Sequence, residues 1–303
     1  MSRERDFIAC LAAFAHDPAA RGLTDDAAVL SLGGRQLVAT HDMLVEGVHY
    51  LPDDPAEDVA WKLVAVNLSD LAAKGARPLG VLLGYPLARE SAWDMAFVGG
   101  LRRVLDRFAV PLLGGDTVSV PRGSARQLGL TALGETERAP ARSGARDGDL
   151  LYVTGLIGAA GLGLHMARDG VAGRPEWLAA YRRPTPRLAE GQALAPRVHA
   201  MADISDGLLI DAARMAEASG LSVEIDLERV PCAESAGDRL AAVTAGDDYE
   251  LLVAARIGLT LPQSGHATLT AVGRFAKGRG LTLVEAGRPV PPPQRLGYEH
   301  GTP

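Results

Sequence analysis

The sequence predicts a mixed α/β (α+β) protein built as two domains. Three observations carry this. At 303 residues the chain is near the size at which a single core divides in two. Short apolar, strand-like runs alternate with longer segments of helical spacing. The polar stretch Glu135–Asp149 (ETERAPARSGARDGD), with its Pro, Gly and charges, breaks that alternation. It sets a boundary between a unit at residues 1–140 and a second at 141–303.

The elements follow in order. Phe7, Leu11 and Phe14 share a helical face, so the chain opens on an amphipathic helix. The run FIACLAAFA is short and preceded by Glu4 and Asp6, unlike a signal peptide. Two runs, Ala28–Leu32 and Leu37–Thr40, flank Gly33-Gly34 and predict a β-hairpin. AEDVAWKLVAVNLSDLAAKGARP predicts a helix that Gly75 ends, with Pro78 beyond. LGVLLGYPL predicts a strand and SAWDMAFVGGLRRVLDRFA a helix. VPLLGGDTVS predicts a strand ending in a Gly-Gly turn, and LGLTALGET another strand.

The second unit opens on the strand LLYVTG. The Gly-rich GLIGAAGLGLH then predicts a tight turn into a helix near 158–168, and a further helix falls near 186–196. ADISDGLLIDAARM predicts a strand end running into a helix that closes at Gly220, capped by Ser205 or Asp206. LSVEIDL and a pair of strands near 268–285 complete the unit. The tail RPVPPPQRLGYEHGTP predicts extended chain.

Composition narrows the partners. A net charge of −6 and 5% aromatic content argue against a nucleic-acid surface. Only Lys62, Lys74 and Lys277 are lysines among the 31 basic residues, so few ammonium groups are at hand to hold phosphate. Two cysteines, Cys10 and Cys232, make neither a disulfide framework nor a zinc site and fit a reducing cytoplasm. No apolar run approaches the length of a membrane span.

Acids stand where apolar residues are expected. Asp203 lies in the run Ala-Met-Ala-x-Ile, where an unpaired carboxylate costs several kcal/mol if buried and a cation removes that cost. Asp206 follows, and Asp211, one turn into the helix, favours its N-terminal dipole. Asp25 and Asp26 precede a strand and Asp42 ends the next. Asn67, Ser69 and Asp70 sit inside an apolar helix, and Asp116 follows Gly114-Gly115. Each alone fits turn or cap chemistry. Together, at strand ends and helix starts, they suit hard oxygen ligands for Mg²⁺, and magnesium supplies the positive charge that the scarce lysines do not. No Walker loop, G-x-G-x-x-G, H-E-x-x-H or G-x-S-x-G motif is present.

With TDDAAVL, DMLVEGVHY, WKLVAVNLSDLAAKGARP, LLGGDT, ARSGARDGD, LYVTG, RRPTPRLAEG, DISDGL and GDDYELL in this order, the chain resembles the thiamine-monophosphate kinase family. That family belongs with aminoimidazole ribonucleotide synthetase and selenophosphate synthetase. The resemblance implies phosphorylation of thiamine phosphate by ATP with several Mg²⁺ ions. It also implies a homodimer joined through a shared β-barrel of the N-terminal domains, with ATP near that interface. It assigns Asp26, Thr40, His41, Asp42, Asp70, Asp203 and Asp206 to magnesium. Gly115, Asp116, Arg142 and Ser205 fall to the nucleotide, and His49, Asp247 and Tyr298 to thiamine phosphate. Three departures stand out: His41 replaces a small hydroxyl residue, Asp247 a glutamate and Lys74 a methionine. A sister enzyme of the superfamily, or a silent nucleotide-binding scaffold whose acids serve as caps, remains the alternative.

Overall fold

The computed structural model describes residues 3–87, 90–121, 123–233, 239–261 and 267–300. Arg3–Ala12 forms helix α1, which buries no residue and leaves Phe7 and Phe14 exposed. β1 (Ala28–Leu32) pairs antiparallel with β2 (Arg35–Val45), and Leu32 faces Arg35 across Gly33 and Gly34. Those glycines have φ of 57° and 85°. A two-residue hairpin turn of this hand needs positive φ at both positions, which only glycine takes freely. β2 runs on to Val45, so Asp42 lies inside the strand rather than at its end.

α2 (Ala56–Ala73), β3 (Arg77–Leu87), α3 (Ser91–Phe108), β4 (Leu112–Ser119) and β5 (Gln127–Thr136) complete the first half. The sheet order is β1-β2-β5-β3-β4, and only the β3–β4 pair is parallel. The expected Gly114-Gly115 turn is a correction: both glycines continue β4 as extended chain.

The second half holds β6 (Leu150–Thr154), α4 (Ala159–Asp169), α5 (Pro175–Arg182), α6 (Leu188–Leu194), β7 (Ala200–Ile204) and α7 (Leu208–Ala218). It continues with β8 (Ser222–Asp226), α8 (Arg239–Thr244), β9 (Glu250–Ala255), β10 (Leu269–Ala276), β11 (Gly280–Glu285) and β12 (Arg288–Val290). The sheet order is β12-β11-β8-β10-β6-β9-β7. The short helices α5 and α8 and the strands β9 and β12 go beyond the sequence reading. β9 is buried along its whole length, so it shows no alternation to mark it as a strand. β12 shows that the Pro-rich tail is not wholly free: it pairs with β11.

α2 is apolar almost all round and is buried between the halves. One side joins Val38, Leu128 and Leu130 in the core of the first sheet. At the other, Ala72 and Ala73 meet Leu194, Met201 and Leu251 of the second half. The polar residues of this helix therefore project into the seam between two cores.

Candidate active site and metal centre

Strand alternation positions the first candidate ligands. On β2, Thr40 and Asp42 face α2 while His41 and Met43 face away. The Thr40 hydroxyl donates to the Asp70 carboxylate and, over 3.2 Å, to the Asp26 carbonyl. The Asp42 backbone N–H donates to Asn67 Oδ1 at 3.0 Å, and the Asn67 amide in turn donates to the Leu63 carbonyl at 2.9 Å. On the far side of α2, the Ser69 hydroxyl donates to Asp203 of β7 at 2.6 Å. Asp26, Asp70 and Asp203 each bring a carboxylate oxygen within 4.8 Å of the others.

The cations are unevenly shared. Lys74 Nζ, with its side chain 0% exposed, binds Asp25 and lies 2.9 Å from Asp26. Arg142 binds the other Asp26 oxygen, and Arg21 reaches Asp25 at 2.5 Å. Burial alone would raise the Asp26 pKa, but Arg142 and Lys74 outweigh it and hold it at about 2. Among the described residues no lysine or arginine forms an ion pair with Asp42, Asp70 or Asp203. Burial, with Asp26 and Asp206 near by, pushes Asp42 up to about 6. Burial and the charge of Asp26 push Asp203 up to about 8, against the Ser69 hydrogen bond. Burial, with Asp42 and Asp203, raises Asp70 well above the usual carboxylate range. A convergent set of carboxylates in which Asp70 and Asp203 are costly to ionise without a cation fits a hard divalent ion such as Mg²⁺.

The loop after β7 is built from inside α7. Asp211 Oδ2 accepts the backbone N–H groups of Ser205, Asp206 and Gly207 at 3.1, 3.1 and 3.3 Å. This corrects the expected cap: Gly207 is the N-cap residue, and neither Ser205 nor Asp206 caps with its side chain. The Asp206 carboxylate is left at the surface of the site, held by Arg214.

Ser205 and Asp206 open on a cavity of about 550 Å³ that also exposes Asp42, His49, Asp247 and Tyr298. His49 Nδ1 accepts the Val45 N–H at 2.9 Å, and burial, with His300 beside it, lowers its pKa. Asp247 takes a 2.7 Å hydrogen bond from Lys62, whose side chain is only 2% exposed. The Tyr298 N–H donates to the Asp206 carbonyl at 2.9 Å, bringing the tail to the rim.

His41, Gly115 and Asp116 lie elsewhere. The His41 ring bonds Thr131 Oγ1 at 2.9 Å on the outer face of the sheet, so its imidazole does not join the acidic cluster. A strand sends neighbouring side chains to opposite faces, which separates His41 from Asp42. His41 and Asp116 instead line a second cavity of about 440 Å³ with Gly84, Tyr85 and Gly129. Gly115 sits against β3, where a Cβ would come within 1.9 Å of the Leu83 carbonyl oxygen.

Three charged residues take places in the site that the sequence did not assign to them: Lys62, Arg214 and Lys74, the last noted only as a departure from the family. For the two lysines a signal existed. A helix of mostly small and apolar residues contains Lys62, and Lys74 follows its end, in a chain with three lysines in all.

The N-terminal domain family of AIR synthase related proteins matches residues 24–136, and the C-terminal domain family matches residues 146–288. The thiamine-monophosphate kinase of Caulobacter vibrioides is 39% identical over 94% of this chain and 86% of its own length. The solved thiamine-monophosphate kinase of Stenotrophomonas maltophilia K279a is 34% identical over 92% of this chain and 94% of its own, with a TM-score of 0.76. AaThiL, solved in complex with AMPPCP and TMP, is 29% identical over 91% of both chains, with a TM-score of 0.82. Matched along both halves by sequence and by fold, the chain belongs to the thiamine-monophosphate kinase family.

Proposed function

We propose that this chain transfers the γ-phosphoryl group of ATP to thiamine phosphate, giving thiamine diphosphate. The observation that carries the reading is the buried pair Asp70 and Asp203 with half-buried Asp42 on the wall of a cavity large enough for a small phosphorylated substrate, none of the three ion-paired to a lysine or arginine among the described residues. Phosphoryl transfer asks mainly for positioning and for neutralisation of charge on the transferred group. Mg²⁺, when bound, supplies that neutralisation at the phosphate oxygens.

The chain's own residues then divide the work. Asp26, Asp70 and Asp203, whose carboxylates converge, offer oxygens to the metal together with Asp42, Asp206 and Thr40, and His41 is near by through its backbone. His49, Asp247 and Tyr298 line the wall that receives thiamine phosphate. Ser205, at the rim, and Arg142, whose guanidinium already lies in the basin, face the nucleotide's phosphates. Gly115 and Asp116 hold the nucleotide from the outer face of the sheet. The attacking phosphate is ionised near neutral pH, so no side chain needs to act as a strong base, and the transfer is direct and in line.

The division into residues 1–140 and 141–303 belongs to this reading, as does a homodimer closing a β-barrel over the first sheet. Every residue of the edge strand β4 is exposed, Leu113 at 53%, and Met43 and Leu82 lie open on the same side. Such an unpaired, apolar edge calls for a covering partner. Among the described residues no helix is long and apolar enough to cross a membrane, and Cys10 and Cys232 are free thiols, which supports a cytoplasmic enzyme. Incubation with Mg-ATP and thiamine phosphate should yield thiamine diphosphate, and EDTA should stop it. Nucleotide binding without product would leave a silent scaffold as the answer.

A further inference from the structure

The basin already contains a cation of its own. Lys74 follows the last turn of α2, and its ammonium is fully buried. It donates to Asp25, to Asp26 at 2.9 Å and to the Met201 carbonyl at 3.2 Å. All three acceptors are oxygens, two of them from carboxylates, which is a donor set that also suits a hard metal ion. With Arg142 on Asp26 Oδ1 and Lys74 on Oδ2, both oxygens of that carboxylate have a positive partner. Among the described residues, the carboxylates of Asp42, Asp70 and Asp203 in the same basin have no such ion pair.

We propose that Lys74 is a resident cation of the acidic basin: its ammonium supplies, at Asp25 and Asp26, charge that a divalent ion would otherwise bring. The inference rests on the metal-assisted reading above and makes it specific to this chain. Divalent ions gather on the Asp42, Asp70 and Asp203 side, and the basin takes up fewer of them than its carboxylates alone would hold. Unlike a dissociable metal, the ammonium is covalently tethered, so this part of the charge is present at any free metal concentration.

The test counts Mn²⁺ on the full chain without nucleotide, reading free Mn²⁺ by electron paramagnetic resonance. Lys74→Met keeps an unbranched side chain, one atom shorter, and removes the charge. It is expected to bind one more Mn²⁺ per chain than the unaltered protein. Lys74→Arg keeps the charge and is expected to bind the unaltered number. Thermal unfolding in EDTA and in Mn²⁺ provides the second readout. Lys74→Met should lose stability in EDTA and recover most of it in Mn²⁺, because an ion takes the place of the ammonium. Equal Mn²⁺ counts in the unaltered and Lys74→Met proteins overturn the proposal. So does a Lys74→Met protein that stays unfolded in millimolar Mn²⁺. If the unaltered chain binds no Mn²⁺ with or without AMPPCP, the metal-assisted reading itself fails.

Discussion

Ser69 of α2 donates its hydroxyl proton to Asp203 of β7 over 2.6 Å, a buried hydrogen bond between residues 134 positions apart. It ties the two sheets together at the acidic cluster. Ser69→Ala removes the donor and leaves Asp203 with one partner fewer. Urea unfolding in EDTA should show a loss of about 1–3 kcal/mol, the range for leaving a buried polar group without its partner. No loss would mean that water or another donor serves Asp203.

Carboxylates kept for function cost stability when no metal is bound. Asp70→Asn removes a carboxylate that burial and its acidic neighbours make hard to ionise. Turnover should fall at least ~100-fold, the scale of losing one strong electrostatic contact to the transition state. The same variant should unfold at a higher temperature than the unaltered protein in EDTA. A variant both active and no more stable would remove Asp70 from the metal site.

The pH dependence of the metal-free protein has a definite sign. Asp203 is raised from 3.8 to about 8 and Asp42 to about 6, so the folded state holds protons that the unfolded chain has released. Their contribution to stability is complete below the unfolded value and is lost as pH rises through about 6 to 8. In EDTA the melting temperature should therefore fall from pH 5 to pH 9 (about one unit to either side of these transitions). Saturating Mg²⁺ should flatten that fall.

Asp211 holds three consecutive N–H groups of the loop that presents Asp206. Asp211→Ala should cost about 2–3 kcal/mol in chemical unfolding, since charged acceptors make the stronger hydrogen bonds. It should also raise the KM for ATP, because the loop loses its anchor. Unchanged stability would show that the loop is held by other contacts.

Lys62 sets Asp247 from within α2 and also donates to the His49 carbonyl at 2.9 Å. Lys62→Met should raise the KM for thiamine phosphate about tenfold, a loss of roughly 1.4 kcal/mol. The KM for ATP should change little. A matched rise in both would mean that the substitution disturbs α2 as a whole.

Much of this was legible in the sequence because helices and hairpins announce themselves locally. Gly33-Gly34 and the α2 pattern specify their own geometry, and Asp203 betrayed itself as a carboxylate among apolar neighbours. Asp211 shows the limit. Its spacing fits a favourable helix-dipole interaction, and only the folded loop shows three N–H groups turned back on it. The separation of His41 from Asp42 follows from alternation once β2 is known to run through both, but the expected strand ended at Thr40. The ion pair of Lys62 with Asp247 spans 185 positions, and no local pattern encodes a contact of that range.

The position of α2 has a consequence for how the enzyme comes into being. One helix carries Lys62, Asn67, Ser69 and Asp70, is followed directly by Lys74, and is wrapped by side chains from both halves. Neither half by itself holds both Ser69 and Asp203, or both Lys62 and Asp247. The acidic basin is thus complete only once both halves have packed on this helix, and a nascent N-terminal half emerging from the ribosome carries part of it with nothing yet to close it.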